Sequence, residues 1–327
     1  MWPAAELKEF RRHLLKWFGE QKRDLPWRRT KDPYAIWVSE IMLQQTRVSA
    51  AIPYFERFLA RFPDYPALAA ASEEDVLRQW AGLGYYYRAR NMRKAAQLMV
   101  ELGGFPRDYD AILTLPGVGD YTAAAVGSIA FDLPHAVVDG NVARVVSRLF
   151  ASNGGKKETT EIAGELLDRK RPGDFNQAMM ELGATLCLPK NPQCLLCPVA
   201  KMCGARELGL QQEFPAPKTK TKNVEIERDL FWVERDGKVL AWQRPADARL
   251  MPGFWELPER EHLPGAEPGD EIGGFRHGIT VHNYSVTVWR TAVPSTWERC
   301  RWLEIGALSA LPLSTIFKKA LKIIVHL

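Results

Sequence analysis

The sequence predicts a multidomain chain, all-α in its first two thirds and α+β in its last third. Three observations carry that expectation. Helical patterns divided by Gly and Pro run from residue 1 to about 210, the composition changes across 211–224, and β-branched and aromatic segments fill 225–327. A length of 327 residues favours about two domains, each able to bury a core. With 46% apolar and 25% charged residues, the composition excludes disordered and fibrous classes.

The opening stretch "MWPAAELKEFRRHLLKWF" places Leu7, Phe10, Leu14, Trp17 and Phe18 at helical spacing with charges between them. It lacks the uncharged core of a signal peptide, and no apolar run approaches the ~20 residues that cross a bilayer. The expected location is therefore cytoplasmic and nucleoid-associated in a bacterium, or nuclear in a eukaryote, with no membrane partner. In "ASEEDVLRQWAGLG", Ser72 followed by Asp75 is a capping-box pattern, and Gly82 and Gly84 mark the helix end. "QQEFPAPKTKTKNV" has two prolines and a Thr/Lys alternation, so it is expected to be an extended linker. Beyond it, "VEIERDLFWVE", "KVLAWQR" and "YSVTVWRTAV" are expected strands, with a turn at Asp236-Gly237 and a closing helix over "LSTIFKKALKII". The net charge of +5 permits an anionic partner such as nucleic acid without requiring one.

Four of the five cysteines lie in "CLPKNPQCLLCPVAKMC", with the spacing C-x6-C-x2-C-x5-C from Cys187 through Cys194 and Cys197 to Cys203. Crowding of this kind, without an export signal, points to a metal centre rather than to disulfides. Zinc and an iron-sulfur cluster both accept four thiolates, and spacing alone does not choose between them. Cys300 stands apart and is expected to be a small buried hydrophobe.

Upstream, "LTLPGVGDYTAAAV" sets Gly117 and Gly119 around Val118 at the start of a helix, with Leu115 just before. Bare N–H groups at a helix start suit a phosphate oxygen, although an ordinary helix-turn-helix connection also contains glycine. "VVDGNVARVVSRLF" puts Asp139 ahead of an amphipathic helix, where it is expected to serve as an N-cap.

The hairpin, the aspartate and the cysteine spacing resemble, in this order along the chain, the endonuclease III superfamily of DNA repair glycosylases. "LPWRRTKDPYAIWVSEIMLQQTRV" and "GLGYYYRARN" are similar to the MutY-type adenine DNA glycosylases within it. That resemblance implies an all-α helix-hairpin-helix glycosylase core with a 4Fe-4S lobe, followed by a Nudix-like α+β domain. The implied boundaries are a six-helix lobe at about 28–130, an iron-sulfur lobe at about 1–27 and 131–210, a linker at 211–224, and a mismatch-recognition domain at 225–327.

It also implies roles. Glu40, which helical spacing alone allows to be a solvated charge, becomes a general acid for adenine N7, with its pKa raised by a dry pocket. Asp139 becomes the anion that stabilises an oxocarbenium ion, and Tyr121 and Asn141 orient it and the water. Arg28, Gln177 and Glu181 read the flipped adenine. Gln45, Thr46 and Tyr85 wedge beside the opposing base, although alone they could be a polar helix face and a core aromatic. Leu115, Gly117, Val118 and Gly119 grip DNA, and Cys187, Cys194, Cys197 and Cys203 hold the 4Fe-4S cluster. The implied partner is double-stranded DNA carrying A opposite 8-oxoguanine or A opposite G, bound by a monomer.

Tyr121 occupies the hairpin position where strand-cutting relatives carry a lysine, so a monofunctional enzyme is expected. The sheet domain contains "MPGFWELPE" but no full Nudix box, which implies a reader without pyrophosphate hydrolysis. Ile279, Thr280 and Val281 stand where the family pattern is Phe-Ser-His. Weaker preference for 8-oxoguanine over guanine is therefore expected, unless His282 substitutes through a shifted turn. Two other readings remain open at this stage: a G·T mismatch thymine glycosylase, and a non-catalytic DNA-binding module with structural zinc.

Overall fold

The structure is a computed structural model that describes residues 2–216, 223–245, 247–248, 251–279, 281–292, 296–297 and 299–325. It divides into two compact units, Met1–Lys218 and Thr219–Leu327.

Every regular element described in the first unit is helical. α1 (Ala4–Gln21) leads through a 3-10 turn at Pro26–Arg28 to α2 (Pro33–Leu43). There follow α3 (Val48–Arg61), α4 (Tyr65–Ala70), α5 (Glu73–Trp80), α6 (Tyr87–Glu101), α7 (Tyr109–Leu113) and α8 (Asp120–Phe131). The second half adds α9 (Gly140–Leu149), α10 (Lys156–Leu166), α11 (Pro172–Thr185) and the short α12 (Gly204–Glu207). Counting the short α4 and α7, seven helices therefore occupy the stretch in which a six-helix lobe is expected.

Local chemistry sets the helix starts. Asp32 caps α2, accepting from the backbone N–H groups of Tyr34 and Ala35 at 3.2 Å each, with Pro33 at the first helical position. Ser72 caps α5 by accepting from Asp75 N at 3.2 Å, whereas the Asp75 carboxylate turns outward to Arg61. α2 is buried at every position from Tyr34 to Met42, because it sits among α3, α8 and the Pro26–Arg28 turn. α11 packs on α1, α8 and α9. Its approach to α9 is close enough that a Cβ at Gly183 would lie 2.6 Å from Asn141 Cβ. Buried Asn176 bonds Ser128 Oγ and His135 O at 2.8 Å each and accepts from Val137 N at 3.2 Å. It thereby ties α8, α11 and the segment leading to Asp139 into one core.

The second unit is α+β. β1 (Val224–Trp232), β5 (Glu271–Ile279) and β6 (His282–Arg290) form one sheet in the order β1-β6-β5, with β1 parallel to β6 and β5 antiparallel to it. In the second sheet, β3 (Lys238–Gln243) pairs antiparallel with β2 (Glu234–Arg235), β4 (Trp255–Glu256) and β7 (Cys300–Glu304). Asp236 and Gly237, both left-handed at φ 50° and 73°, make the β2–β3 turn. α13 (Thr315–Val325) packs on β4 and β5 over a core that includes Leu230, Trp232, Val286, Val288 and Phe317. Cys300 is half-buried against a smaller cluster around Phe231 and Leu240. Among the described residues no helix is long and apolar enough to cross a membrane.

Candidate active site

The buried face of α2 carries a carboxylate. Glu40 is only 5% exposed. Burial pushes its pKa up to about 7; the Tyr121 hydrogen bond and Arg28 pull it down, and the negative charge of Asp139 pushes it up again. Tyr121, on the first turn of α8, donates to Glu40 Oε2 at 2.9 Å and lies 3.1 Å from Met180 Sδ. Burial, and then the charges of Glu40 and Asp139, hold its hydroxyl well above the usual phenol range, so it remains a donor. α8 packs directly on α2, and this brings the hydroxyl of Tyr121, the residue expected to orient Asp139, onto Glu40.

Asp139 arrives from the segment held by Asn176 and caps α9. Its Oδ1 accepts from Val142 N at 2.7 Å and its Oδ2 from Asn141 Nδ2 at 3.0 Å, which fixes the carboxylate in direction. Arg144, one turn on, donates to Asn141 Oδ1, Gly183 O and Cys187 O at 2.8 Å each. Glu40, Asp139, Tyr121 and Asn141 line one cavity of about 200 Å³, together with Arg28, Gln177 and Glu181 from the Pro26–Arg28 turn and α11. That is room for a small flat ligand, below the ~300–1,000 Å³ of drug-sized sites. A buried Glu40 carboxyl and an Asp139 side chain fixed in direction by its cap, facing one space, can divide acid and anion roles.

Glu181 is 1% exposed and fully engaged. Arg23 donates to it three times, at 3.0 Å from its backbone N and 2.7 Å from each of Nε and Nη2, and Arg28 Nη2 donates at 2.8 Å. Burial alone would raise the Glu181 pKa, but the hydrogen bonds from Arg23 and Arg28 outweigh it and hold the carboxyl down at about 2. Gln177 lines the cavity, its amide donating to Gly173 O at 3.3 Å.

Three comparisons bear on this geometry. Residues 38–169 match the HhH-GPD superfamily of base excision DNA repair proteins. An adenine DNA glycosylase of Rattus norvegicus is 48% identical, the match covering 98% of this chain and 78% of that protein. This chain belongs to the adenine DNA glycosylase family. The human member is 45% identical over 68% of this chain, a match spanning only 44% of that longer protein. A solved thermostable thymine-DNA glycosylase is similar to the helical part, with a TM-score of 0.59 and 32% identity, covering 62% of this chain and 98% of that one.

The remaining family positions fall as follows. Gln45 and Tyr85 are exposed and share an opening of about 370 Å³ that reaches Glu40 and Asp139; Thr46 is half-buried behind them. In the hairpin, Gly117 takes φ 81°, and a Cβ there would strike Asn91 Cβ at 2.8 Å. Gly119, at φ −116°, is the N-cap of α8 and offers no side-chain cap, so the first N–H groups of that helix stay available. Val118 is half-buried, and the Leu115 side chain, 2% exposed, is buried in the core. In the second unit, Ile279 pairs with His282 to close the β5–β6 hairpin, and Val281 O accepts from Val224 N at 2.7 Å. Thr280 lies outside the described residues.

Cys187, Cys194, Cys197 and Cys203 are all half-buried. Among the described residues no three His, Cys, Asp or Glu side chains are grouped so as to hold a single metal ion. The thiols nevertheless feel one another: burial raises the Cys197 pKa to about 12, and Cys187, Cys203 and Cys194 each add to the rise. Arg148 Nη1 lies 3.3 Å from Cys187 Sγ, an N–H beside sulfur that suits a thiolate-bound cluster.

The sequence missed Arg23, Met180 and Arg144. Arg144 was within reach, since it lies three residues after Asn141 on one helix face. Arg23 was not, because Glu181 lies 158 residues away in sequence.

Proposed function

We propose that this chain is a monofunctional adenine DNA glycosylase that hydrolyses the N-glycosidic bond of adenine mispaired with 8-oxoguanine or guanine, acting as a monomer on duplex DNA. The observation that carries the reading is a buried Glu40, protonated near neutrality, facing the same small cavity as the capped carboxylate of Asp139.

A stacked adenine is out of reach, so the nucleotide is extruded at a cost of a few kcal/mol, least for a mispair. Adenine leaves poorly as an anion. Glu40 donates its proton to N7, and the departing base carries it away as neutral adenine. Positive charge then develops at C1′, and the Asp139 carboxylate, immobilised by Val142 N and Asn141, stabilises it until water adds to that carbon and gives its proton back to the ionised Glu40. Arg28 and Gln177 contact the base edge, Glu181 holds Arg28 in place for that contact, and Tyr121 fixes the Glu40 carboxyl through its hydrogen bond. With tyrosine in the hairpin there is no amine to form a Schiff base with the sugar, so strand cutting does not accompany excision.

Cys187, Cys194, Cys197 and Cys203 would hold a 4Fe-4S cluster, whose part is to fix the chain between α11 and α12. The likeness of the C-x6-C-x2-C-x5-C spacing to the endonuclease III superfamily favours it over zinc, and the Arg148 N–H at Cys187 Sγ suits it. A brown purified protein supports this assignment, and a colourless zinc protein overturns it. The second unit, whose paired sheets and α13 fit the Nudix-like reading, would inspect the base opposite adenine through the β5–β6 turn, with Val281 where the family carries histidine.

Duplexes carrying A opposite 8-oxoguanine, A opposite G and T opposite G, each followed by alkali cleavage, test the reading. Breaks at adenine in the first two are expected. Breaks confined to T opposite G would favour the thymine glycosylase suggested by the solved relative.

A further inference from the structure

We propose that Arg88 is a positioning residue that locks the two duplex-wedging loops into a single unit. The inference rests on the reading of Gln45 and Tyr85 as the residues that fill the space left by the extruded adenine.

Arg88 lies on the first turn of α6 and is 2% exposed. Among the described residues it makes no ion pair. Its guanidinium is spent on two loops. Nη1 donates to Ile41 O, Met42 O and Gln44 O at 2.9, 3.1 and 2.6 Å, gathering the carbonyls at the C-terminal end of α2 just before Gln45. Nη2 reaches Leu83 O and Gly84 O at 3.2 Å each, just before Tyr85, and Thr46 Oγ1 at 3.4 Å. The fork also stands over the rings of Trp80 and Tyr85, 5.2 and 5.6 Å from their centroids. Trp80 Nε1 donates to Gly84 O at 3.0 Å, closing the second loop from the other side.

Both residues thus delivered are exposed, and both are non-glycine residues in left-handed backbone, Gln45 at φ 57° and Tyr85 at φ 48°. Such conformations persist only when their surroundings over-determine them. Here one planar cation supplies the restraint to both, from the wall of the opening that Gln45 and Tyr85 share. Lysine offers a single point of charge and cannot bridge both sets of carbonyls. With Arg88, the two wedges present one fixed edge to the duplex. Without it, each loop moves by itself.

The test compares excision of adenine paired opposite G with excision of a bulged adenine that has no opposing base and needs no wedge to leave the stack. Arg88→Lys is expected to slow the paired reaction by about ten- to a hundredfold, the scale of a small misplacement. The bulged reaction should slow less, so that the paired-to-bulged ratio falls about tenfold. Both rates come from one preparation, so partial unfolding scales them together and leaves the ratio intact. Should Arg88→Lys yield no folded protein, Arg88→Gln is read in the same way. A ratio unchanged from the parent, whether both rates hold or both fall equally, overturns the positioning role. The Gln45→Ala, Tyr85→Ala double variant separates the two levels. If its ratio does not fall, the wedge reading itself fails; if it falls while that of Arg88→Lys does not, only the Arg88 inference fails. Adding Arg88→Lys to the double variant should change the ratio no further, and an additional fall would show that Arg88 acts otherwise than through Gln45 and Tyr85, which overturns the inference.

Discussion

Glu40 shows how one residue can be ordinary in sequence and exceptional in place. Its pKa of about 7 against an ordinary 4.5 means that the folded chain binds the proton more tightly than the unfolded chain does. Between those values the folded state holds the extra proton, so stability falls as pH rises through the window, by up to about 3 kcal/mol at its upper end. Glu40→Gln should flatten that slope in denaturation measured across pH. The same substitution should slow excision by about 10²–10⁴-fold, the usual contribution of a general acid. In the parent, the single-turnover rate should fall above pH ~7 as the proton is lost. Glu181 has the opposite sign. Its carboxyl is held at about 2, so its stabilisation is complete above the ordinary 4.5 and disappears as pH drops toward 2. Arg28→Ala removes one of its two partners and should cost about 3 kcal/mol in urea denaturation near neutral pH, because part of a buried charge is left unpaired.

At the scale of the element, α9 separates folding from chemistry. Asparagine caps helices about as well as aspartate, so Asp139→Asn should preserve the bond to Val142 N, lose the one accepted from Asn141, and cost about 1 kcal/mol of stability. The anion is nevertheless gone, and excision should fall by about 10²–10³-fold while mismatched duplex is still bound in a gel-shift assay. A large loss of Tm would show that the charge, and not the cap, holds α9 in place. The sheet elements show where sequence patterns weaken. β1, β3 and β6 were legible because they are rich in β-branched and aromatic residues. β5 was not, because "EIGGFRHGI" carries three glycines, and β4, with two residues, is too short for any period. The parallel pairing of β1 with β6 joins segments that begin 58 residues apart, beyond any local signal.

For the whole molecule, the division at Lys218 separates two cores that share no buried residue. The first unit contains the complete cavity. A fragment ending at Lys218 should therefore unfold in one cooperative transition and keep base excision from A opposite G. A fragment that does not fold would show that the first core depends on the second unit.

Motif order, helix starts and strand-rich composition are local properties, and the sequence by itself determined them: the cap at Asp139, the turn at Gly117, the four thiols, and the change from helix to sheet near residue 224. Tertiary structure alone decided that Glu40 is dry, that Tyr121 donates to Glu40, that Glu181 is clamped by Arg23, and that one arginine grips two loops. The physical reason is common to all four. Desolvation and hydrogen bonding depend on which groups meet in space, and 158 residues separate Arg23 from Glu181 and 81 separate Glu40 from Tyr121, whereas a pattern of residues along a chain speaks only for its neighbours.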